Sequence, residues 1–545
     1  MKVRKYNKGF GGWLKATCSE INGFRSLSFC ALLALGTSVC GAAERGELRR
    51  NEAGQSWLGQ KKTGLSGLEG NKQNTLRLNL ERTITLANDS SLSAFRYQNM
   101  YLSGYWQYRS YKAARLPSLM LNMTPARYNR YITQRYDSQQ DLDVYREQQM
   151  YSAGAGLNLA QNFDPLGGTF YIDTQLDYMR NFGDNTSTQF SSIPFRIGYE
   201  QNLIGFNGFR WDRKIEPLKF EKAKKQYLYN AETVSEEAVN YFFRLAMAQA
   251  DYELAKDNVA TTDTLYAIGE QRKKIAAISQ ADLLTLKLDK VNARNTLRNA
   301  EIARKRAMSA LATFLNVDKN TVIELDIPAR PRFVDVRADK ALALARENNP
   351  TYLEGRQRVL EAKRNVAKTR QEKMFNARFN ASVGFNQVSD KFSGAYKHLL
   401  QQDLVSFTVS FPLVDWGVRR GKYNMAKNDL NVVEIAARQD EISLEEDVMM
   451  TVSDFNVQQD LIASAEEALD LSELAYDQTR RRFIIGKADI NSLTLSLNRQ
   501  QEAQKNYIRA LQNYWLNYYK IRKLTLYDFE SGFSLSERFD FDNLK

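Results

Sequence analysis

Between Gly421 and Gly486 the chain contains neither proline nor glycine. At 1.5 Å per residue, that stretch predicts roughly 100 Å of unbroken helix. Helices in globular domains average three or four turns, so very few folds can house such an element. A second stretch of the same kind runs from Leu218 to Val317, without proline and with only Gly269 inside it. The chain must therefore fold as something long rather than as a compact globule.

Each long stretch follows a segment of alternating residues. Val405, Phe407, Val409 and Phe411 alternate with Ser406, Thr408 and Ser410 before the turn Pro412-Leu413-Val414-Asp415-Trp416-Gly417. Upstream of it, Phe379, Ala381, Val383 and Phe385 alternate with Asn380, Ser382 and Gly384. In the first half, Phe195, Ile197 and Tyr199 share one face of the segment Ile193 to Leu203. Period-two patterning bounded by turn residues predicts strands and hairpins. A further pattern of this kind runs from Tyr151 to Met179, around the turn Asp164-Pro165-Leu166-Gly167-Gly168, and has no counterpart later in the chain.

The two halves also match outside the strands. Leu86-Ala87-Asn88-Asp89-Ser90-Ser91 corresponds to Leu344-Ala345-Arg346-Glu347-Asn348-Asn349. Leu284-Thr285-Leu286-Lys287-Leu288-Asp289-Lys290 corresponds to Leu493-Thr494-Leu495-Ser496-Leu497-Asn498-Arg499. Such spacing predicts an internal repeat of helix, strands, long helix, turn and helix. The expected boundaries are 76–316 for the first copy, with strands at about 117–204 and long helices at about 218–316. A connector at 317–337 precedes a second copy at 338–526, with strands at about 376–413 and long helices at about 418–526. Helix is expected to begin near Leu76, and a second, tyrosine-rich helix runs from Leu92 to Arg115. Residues 527–545 form an acidic-aromatic tail.

The N-terminus reads as an export signal, residues 1–43. Lys2, Arg4, Lys5, Lys8, Lys15 and Arg25 precede an apolar core from Leu27 to Leu35 and the small residues Gly36 to Ala43. Cys18, Cys30 and Cys40 all fall in this segment, so the exported chain would hold no cysteine. Thr37-Ser38-Val39 before Cys40 is a poor lipidation signal. Residues 44–75 are expected to be loosely ordered. One histidine, His398, and so few cysteines argue against metal or histidine-dependent catalysis, and no cofactor is expected. Of the net charge of +13, residues 1–43 carry +5, and the remaining +8 is spread along the rest as solvated helix faces and does not point to nucleic acid. Beyond the N-terminus no apolar run is long enough for a helical membrane span, and the mean hydropathy is −0.51. A membrane β-barrel hides its apolar residues at every second position and is compatible with that value.

The Val405–Phe411 strand, the Phe-Pro-Leu-Val-Asp-Trp-Gly turn and the later Arg482-Phe483-Ile484-Ile485-Gly486-Lys487-Ala488-Asp489-Ile490 resemble the second half of a TolC-type outer-membrane efflux protein. The resemblance extends over roughly Leu76 to Leu526. It implies an α+β membrane protein in which two tandem repeats build, in a homotrimer, an outer-membrane β-barrel continued by a long periplasmic α-helical barrel. Physical reasoning leads to an oligomer, and the resemblance makes it a trimer. Sheet edges cannot stay unpaired in hydrocarbon, so the barrel must close. About two strands per repeat are too few for closure within one chain. Four strands from each of three chains would give twelve. The Tyr151–Met179 pattern is left with two places, an elaboration outside the barrel or extra strands within it. The segment Asn207 to Pro217 is an insertion that resembles a variant found in one branch of the family.

The family plan places adaptor-facing tips at Ala277, Ile278, Ser279 and Gln280 and at Gly486, Lys487, Ala488 and Asp489. Gly486 suits a left-handed helix end. Ser279 with Asp282, and Asp489, suit helix starts. Asp282, Asp489 and Ser492 are the candidates for a pore constriction, although Ser492 and Leu495 stand where relatives carry acidic gate residues. The function implied is a passive exit duct of a tripartite efflux or type I secretion system, engaged by a periplasmic adaptor and through it by an inner-membrane pump. A periplasmic or surface coiled-coil adaptor is the alternative; it accounts for the helices and leaves the strands unexplained.

Overall fold

The computed structural model describes residues 75–541 except 138–140, 183–185, 275–277, 319–320 and 486. The export-signal reading of residues 1–43 lies outside the described residues.

The described residues open with a strand where helix was expected. β1 (Thr75–Leu78) pairs in parallel with β6 (Val322–Leu325). Helix starts only after Asn79, whose side chain accepts from the Arg82 N–H at 2.8 Å. Leu78 is buried there, and this tertiary pairing overrides the local helical pattern. Helix α1 (Leu80–Ser90) then turns into α2 (Leu92–Ala113) at Ser91, which caps α2 through Ala94 N–H.

Four strands follow before the first long helix: β2 (Ser118–Asp137), β3 (Leu142–Phe163), β4 (Gly168–Phe182) and β5 (Ser187–Ile204). The second half supplies only β7 (Asn376–Ser389) and β8 (Leu400–Ser410), joined by a loop holding a single 3-10 turn, Gly394–Tyr396. All six lie in one antiparallel sheet in the order β2-β3-β4-β5-β7-β8. This corrects the expectation of four strands per chain. The pattern Tyr151–Met179 folds as the hairpin of β3 and β4 around residues 164–167, and the first half carries two more strands of this sheet than the second. Alternation fails in β2 because Leu119, Met120 and Leu121 are consecutive and the register shifts between Thr124 and Arg127, around Pro125.

The registered pairs place Leu119, Leu159, Ile172, Ile197 and Val383 in one row on one face of the sheet. The opposite face carries Asn158, Asp173, Arg196 and Gly384, and Asp173 holds Arg196 through two contacts at 3.0 and 2.6 Å. From β3 to β7 one face of these rows is thus apolar and the other polar or small, while Asp403 of β8 continues the apolar row and Met120 of β2 the polar one. The β2–β3 pair continues above the last β3–β4 partners, Gln149 and Phe182, as a two-stranded ribbon.

Helix α3 (Gly208–Lys274) begins ten residues earlier than the pattern suggested and runs through Pro217. Asn207 caps it through Arg210 N–H at 3.1 Å. Residues 208–216 are held against neighbouring helices by Asp212–Arg364 at 3.0 Å and by Gln107, which donates to Glu216 at 3.5 Å, and this lets the helix tolerate the missing donor at Pro217. Helix α4 (Gln280–Phe314) returns, and β6 leads to α5 (Ala338–Asn348) and α6 (Pro350–Lys373). Asn349 caps α6 through Thr351 N–H at 3.0 Å, the same device as Ser91. After β8 come α7 (Val418–Ile484) and α8 (Ile490–Thr525). The long helices α3 and α7 both have 67 residues, and their return helices have 35 and 36. No helix among the described residues is long and apolar enough to cross a membrane.

Near the sheet the helices pack in the row α2–α3–α6–α7, and farther away in the row α4–α3–α8–α7. The main core sits where the rows change over, around Phe242, Phe243, Leu311, Val448, Phe455 and Leu511. On its sheet side, Arg522 reaches Glu232 at 3.0 Å and Asp528 at 3.5 Å. Residues 527–541, which the sequence left without a role, fold back as β9 (Tyr527–Asp528), β10 (Phe533–Ser534) and α9 (Leu535–Arg538). Phe541 ends 5.4 Å from the Tyr101 ring and 6.4 Å from the Tyr227 ring.

Candidate functional site

The ends of α3 and α7 farthest from the sheet form two helix-turn-helix tips. At the first, Ser279 caps α4: its hydroxyl accepts from Asp282 N–H at 3.0 Å. The Asp282 carboxylate accepts in return from Ser279 N–H at 3.1 Å and Ser279 O–H at 2.7 Å. This is a complete capping box. Asp282 is therefore engaged in closing the turn. Gln280 opens α4 and is exposed, and Ile278 is half-buried. Ala277 lies outside the described residues.

At the second tip, Ile485 N–H reaches Arg481 O and Lys487 N–H reaches Arg482 O at 2.8 Å, closing the last turn of α7. Gly486, expected to sit between them in a left-handed conformation, lies outside the described residues. Asp489 caps α8 by accepting from Ser492 N–H at 2.9 Å. Its carboxyl is held below the usual aspartate range, first by the Ser492 side chain and then by that backbone donor. Lys487, Asp489 and Ser492 are exposed, and Ala488 packs against the small cluster of Tyr476, Phe483 and Leu493.

One residue that the sequence did not single out ties the tips together. The Arg272 guanidinium donates to Phe483 O at 3.2 Å and Ile484 O at 3.4 Å and lies over the Phe483 ring at 5.3 Å. It caps the C-terminus of α7 from the neighbouring long helix, where carbonyls lack intrahelical partners. Nothing local to Arg272 announces this, since its partners lie more than 200 positions away. Close packing behind it depends on Gly269, where a Cβ would come within 2.6 Å of Leu286.

Charge concentrates at the same end. The last turn of α3 carries Arg272, Lys273 and Lys274, and that of α7 carries Arg481 and Arg482. Cations there complement the helix dipoles, and with Lys487 they make the distal end of the molecule basic. Slightly higher, Asp263 pairs with Lys290 at 3.0 Å and Arg294 at 3.3 Å, bracing α3 against α4. This end of the molecule thus brings together two capped helix starts and two basic helix ends.

Residues 341–525 match the family model described as outer membrane efflux protein. Among solved structures, the fold is similar to the CmeC outer membrane channel of Campylobacter jejuni, with TM-score 0.61 and 13% identity over 85% of this chain and 90% of that one. It is also similar to the outer membrane protein VceC of Vibrio cholerae, with TM-score 0.57 and 15% identity over 82% and 95%. The MtrE outer membrane channel of Neisseria gonorrhoeae gives TM-score 0.56 and 16% identity over 82% and 88%. Among curated proteins, none matches this chain in sequence. Residues 341–525 are thus an outer membrane efflux protein domain, in a chain that has the fold of the TolC-type outer-membrane channels.

Proposed function

We propose that three copies of this chain form a passive exit duct through the outer membrane, the terminal part of a tripartite efflux or type I secretion machine. The observation that carries this reading is the two-faced sheet joined directly to two helices of 67 residues. The apolar face meets lipid and the polar face meets water. Each 67-residue helix reaches about 100 Å into the periplasm. A six-stranded sheet with free edges is stable in hydrocarbon only when neighbours close it. The two halves are tandem repeats, supported by their equal helix lengths and their equally capped elbows.

In this mechanism the chain performs no chemistry. The helical rows form a water-filled conduit, and the tips meet a periplasmic adaptor that links the duct to an energised inner-membrane pump. The basic last turns of α3 (Arg272, Lys273, Lys274) and α7 (Arg481, Arg482), next to these tips, select an adaptor surface of opposite charge. Crosslinking tests this reading: single cysteines are placed at Lys487 and Gln280, a bifunctional reagent is applied to intact cells, and the captured protein is identified by mass. A periplasmic adaptor captured at both sites is expected. Capture of none, by an abundant protein in the outer membrane, would reject the tip assignment. Recovery of the chain in the periplasm would favour the coiled-coil adaptor instead.

A further inference from the structure

The first half carries two more strands of the sheet than the second, and the place of the edge hairpin β2–β3 in the assembly changes the size of the pore. We propose that it is part of the membrane wall, so that β2 of each protomer pairs with β8 of the next and the trimer closes an eighteen-stranded barrel. This inference rests on the trimeric duct described above. One protomer's sheet cannot enclose a pore, so the lumen is incomplete without the neighbour's edge.

Four observations carry it. First, β2 and β8 are the two edges of the sheet, and both are exposed along nearly their whole length, with Leu121 at 54%, Val405 at 75% and Phe407 at 61%. Second, β2 leaves the helical end of the molecule and β8 returns to it, so neighbouring edges meet antiparallel. A hairpin adds strands in pairs and preserves this direction. Third, the faces continue across the hairpin: Leu119, Leu121 and Met123 lie on the apolar face with Leu157 and Leu159, while Asn122 and Thr124 face the same side as Gly156 and Gly154. An appendage outside the wall would have no need to keep lipid and water faces in register with it.

The fourth observation is geometric. Ser118 lies in the row Ala160, Tyr171, Gly198, Ser382 and Leu404. Leu404 stands six residues from Ser410, the end of β8. Ser118 and Ser410 both adjoin the helical part, so aligning them across the interface sets the stagger of the barrel. Six residues of rise are about 20 Å, and six strand spacings are about 29 Å, giving a slope of roughly 35°. Membrane barrels tilt their strands by about 35–45°. The same alignment sets Leu119 opposite Val409, Leu121 opposite Phe407 and Met123 opposite Val405, apolar against apolar throughout. Eighteen strands at that tilt span a perimeter of roughly 105 Å. Four helices per protomer near the sheet, twelve in the trimer, span roughly 100–120 Å at 8–10 Å spacing. Wall and tube then join without a step.

Disulfide trapping in isolated outer membranes tests the proposal, in a background with Cys18, Cys30 and Cys40 replaced by Ala. The double variant Leu121→Cys/Phe407→Cys should give covalent trimers on oxidation, because the two positions lie on opposite edges of one protomer. Ile172→Cys/Phe407→Cys should give none. Each variant is first sized in reduced form by native mass spectrometry. Covalent trimers from the second pair, and not from the first, would mean that β4 closes a twelve-stranded barrel, overturning the inference. A reduced trimer that neither pair links would also overturn it. Absence of any trimer would instead reject the duct reading on which the inference rests.

Discussion

The two halves of the chain agree in their helices and differ in their sheets. The long helices both have 67 residues and the return helices 35 and 36, yet four strands stand before α3 and two before α7. A helix in a packed tube touches neighbours on both sides, so a change in its length would displace its tip relative to the other. A sheet wall has a different constraint, the antiparallel alternation of its strands. It accepts an added hairpin and rejects a single added strand. In the proposed assembly, the difference separates the part that docking at the tips would fix from the part left to set the width of the opening.

The strongest test of that contrast is to delete strands singly and in pairs. Removing 118–141, one strand and its turn, leaves an odd count and puts β3 at the wrong end; outer-membrane assembly should be lost, as read by fractionation. Removing 118–165 keeps parity, and a smaller trimer with lower single-channel conductance is expected. If both deletions assemble equally, parity is not the constraint. A large effect is also expected at Arg522, where Arg522→Ala leaves Glu232 buried without its partner at a cost of about 3–5 kcal/mol. Thermal unfolding should show it, and Glu232→Gln in the same chain should restore part of the loss.

Smaller effects separate the tips from the wall. Arg272→Ala removes the donors to Phe483 O and Ile484 O and should cost about 1–3 kcal/mol of local stability. Hydrogen exchange should then rise at 480–490 while the sheet stays protected. Ser279→Ala should loosen the first tip alone, by about 1 kcal/mol. The second tip responds to pH. Asp489 has a depressed folded-state pKa, so its contribution is complete above the ordinary aspartate range and fades as pH falls below about 4. Exchange at 487–492 should therefore be unchanged between neutral pH and pH 5 after correction for intrinsic rates, and faster only in stronger acid.

Much of this was legible before the fold was known. The long helices were announced by the absence of glycine and proline, and β7 and β8 by clean alternation. What escaped reading was non-local or locally irregular. β2 was obscured by three consecutive apolar residues and Pro125, and β1 by a pairing with residues 322–325. Arg272 and Arg522 act on groups more than 200 positions away, so no window of sequence contains both partners. At the tips, Ser279 and Asp489 read correctly as caps. Asp282 and Ser492, taken as candidates for a constriction, are engaged in those same caps, because the first turn of a helix needs acceptors and short polar side chains whatever the pore requires.

The most direct test of the central account is the mass and location of the assembled protein. The chain would be extracted from purified outer membranes in mild detergent and weighed intact. A homotrimer carrying bound lipid is the predicted result. A monomer or dimer, or a protein found only in the periplasmic fraction, would contradict the account, since the sheet edges at β2 and β8 would then have no partner in the membrane.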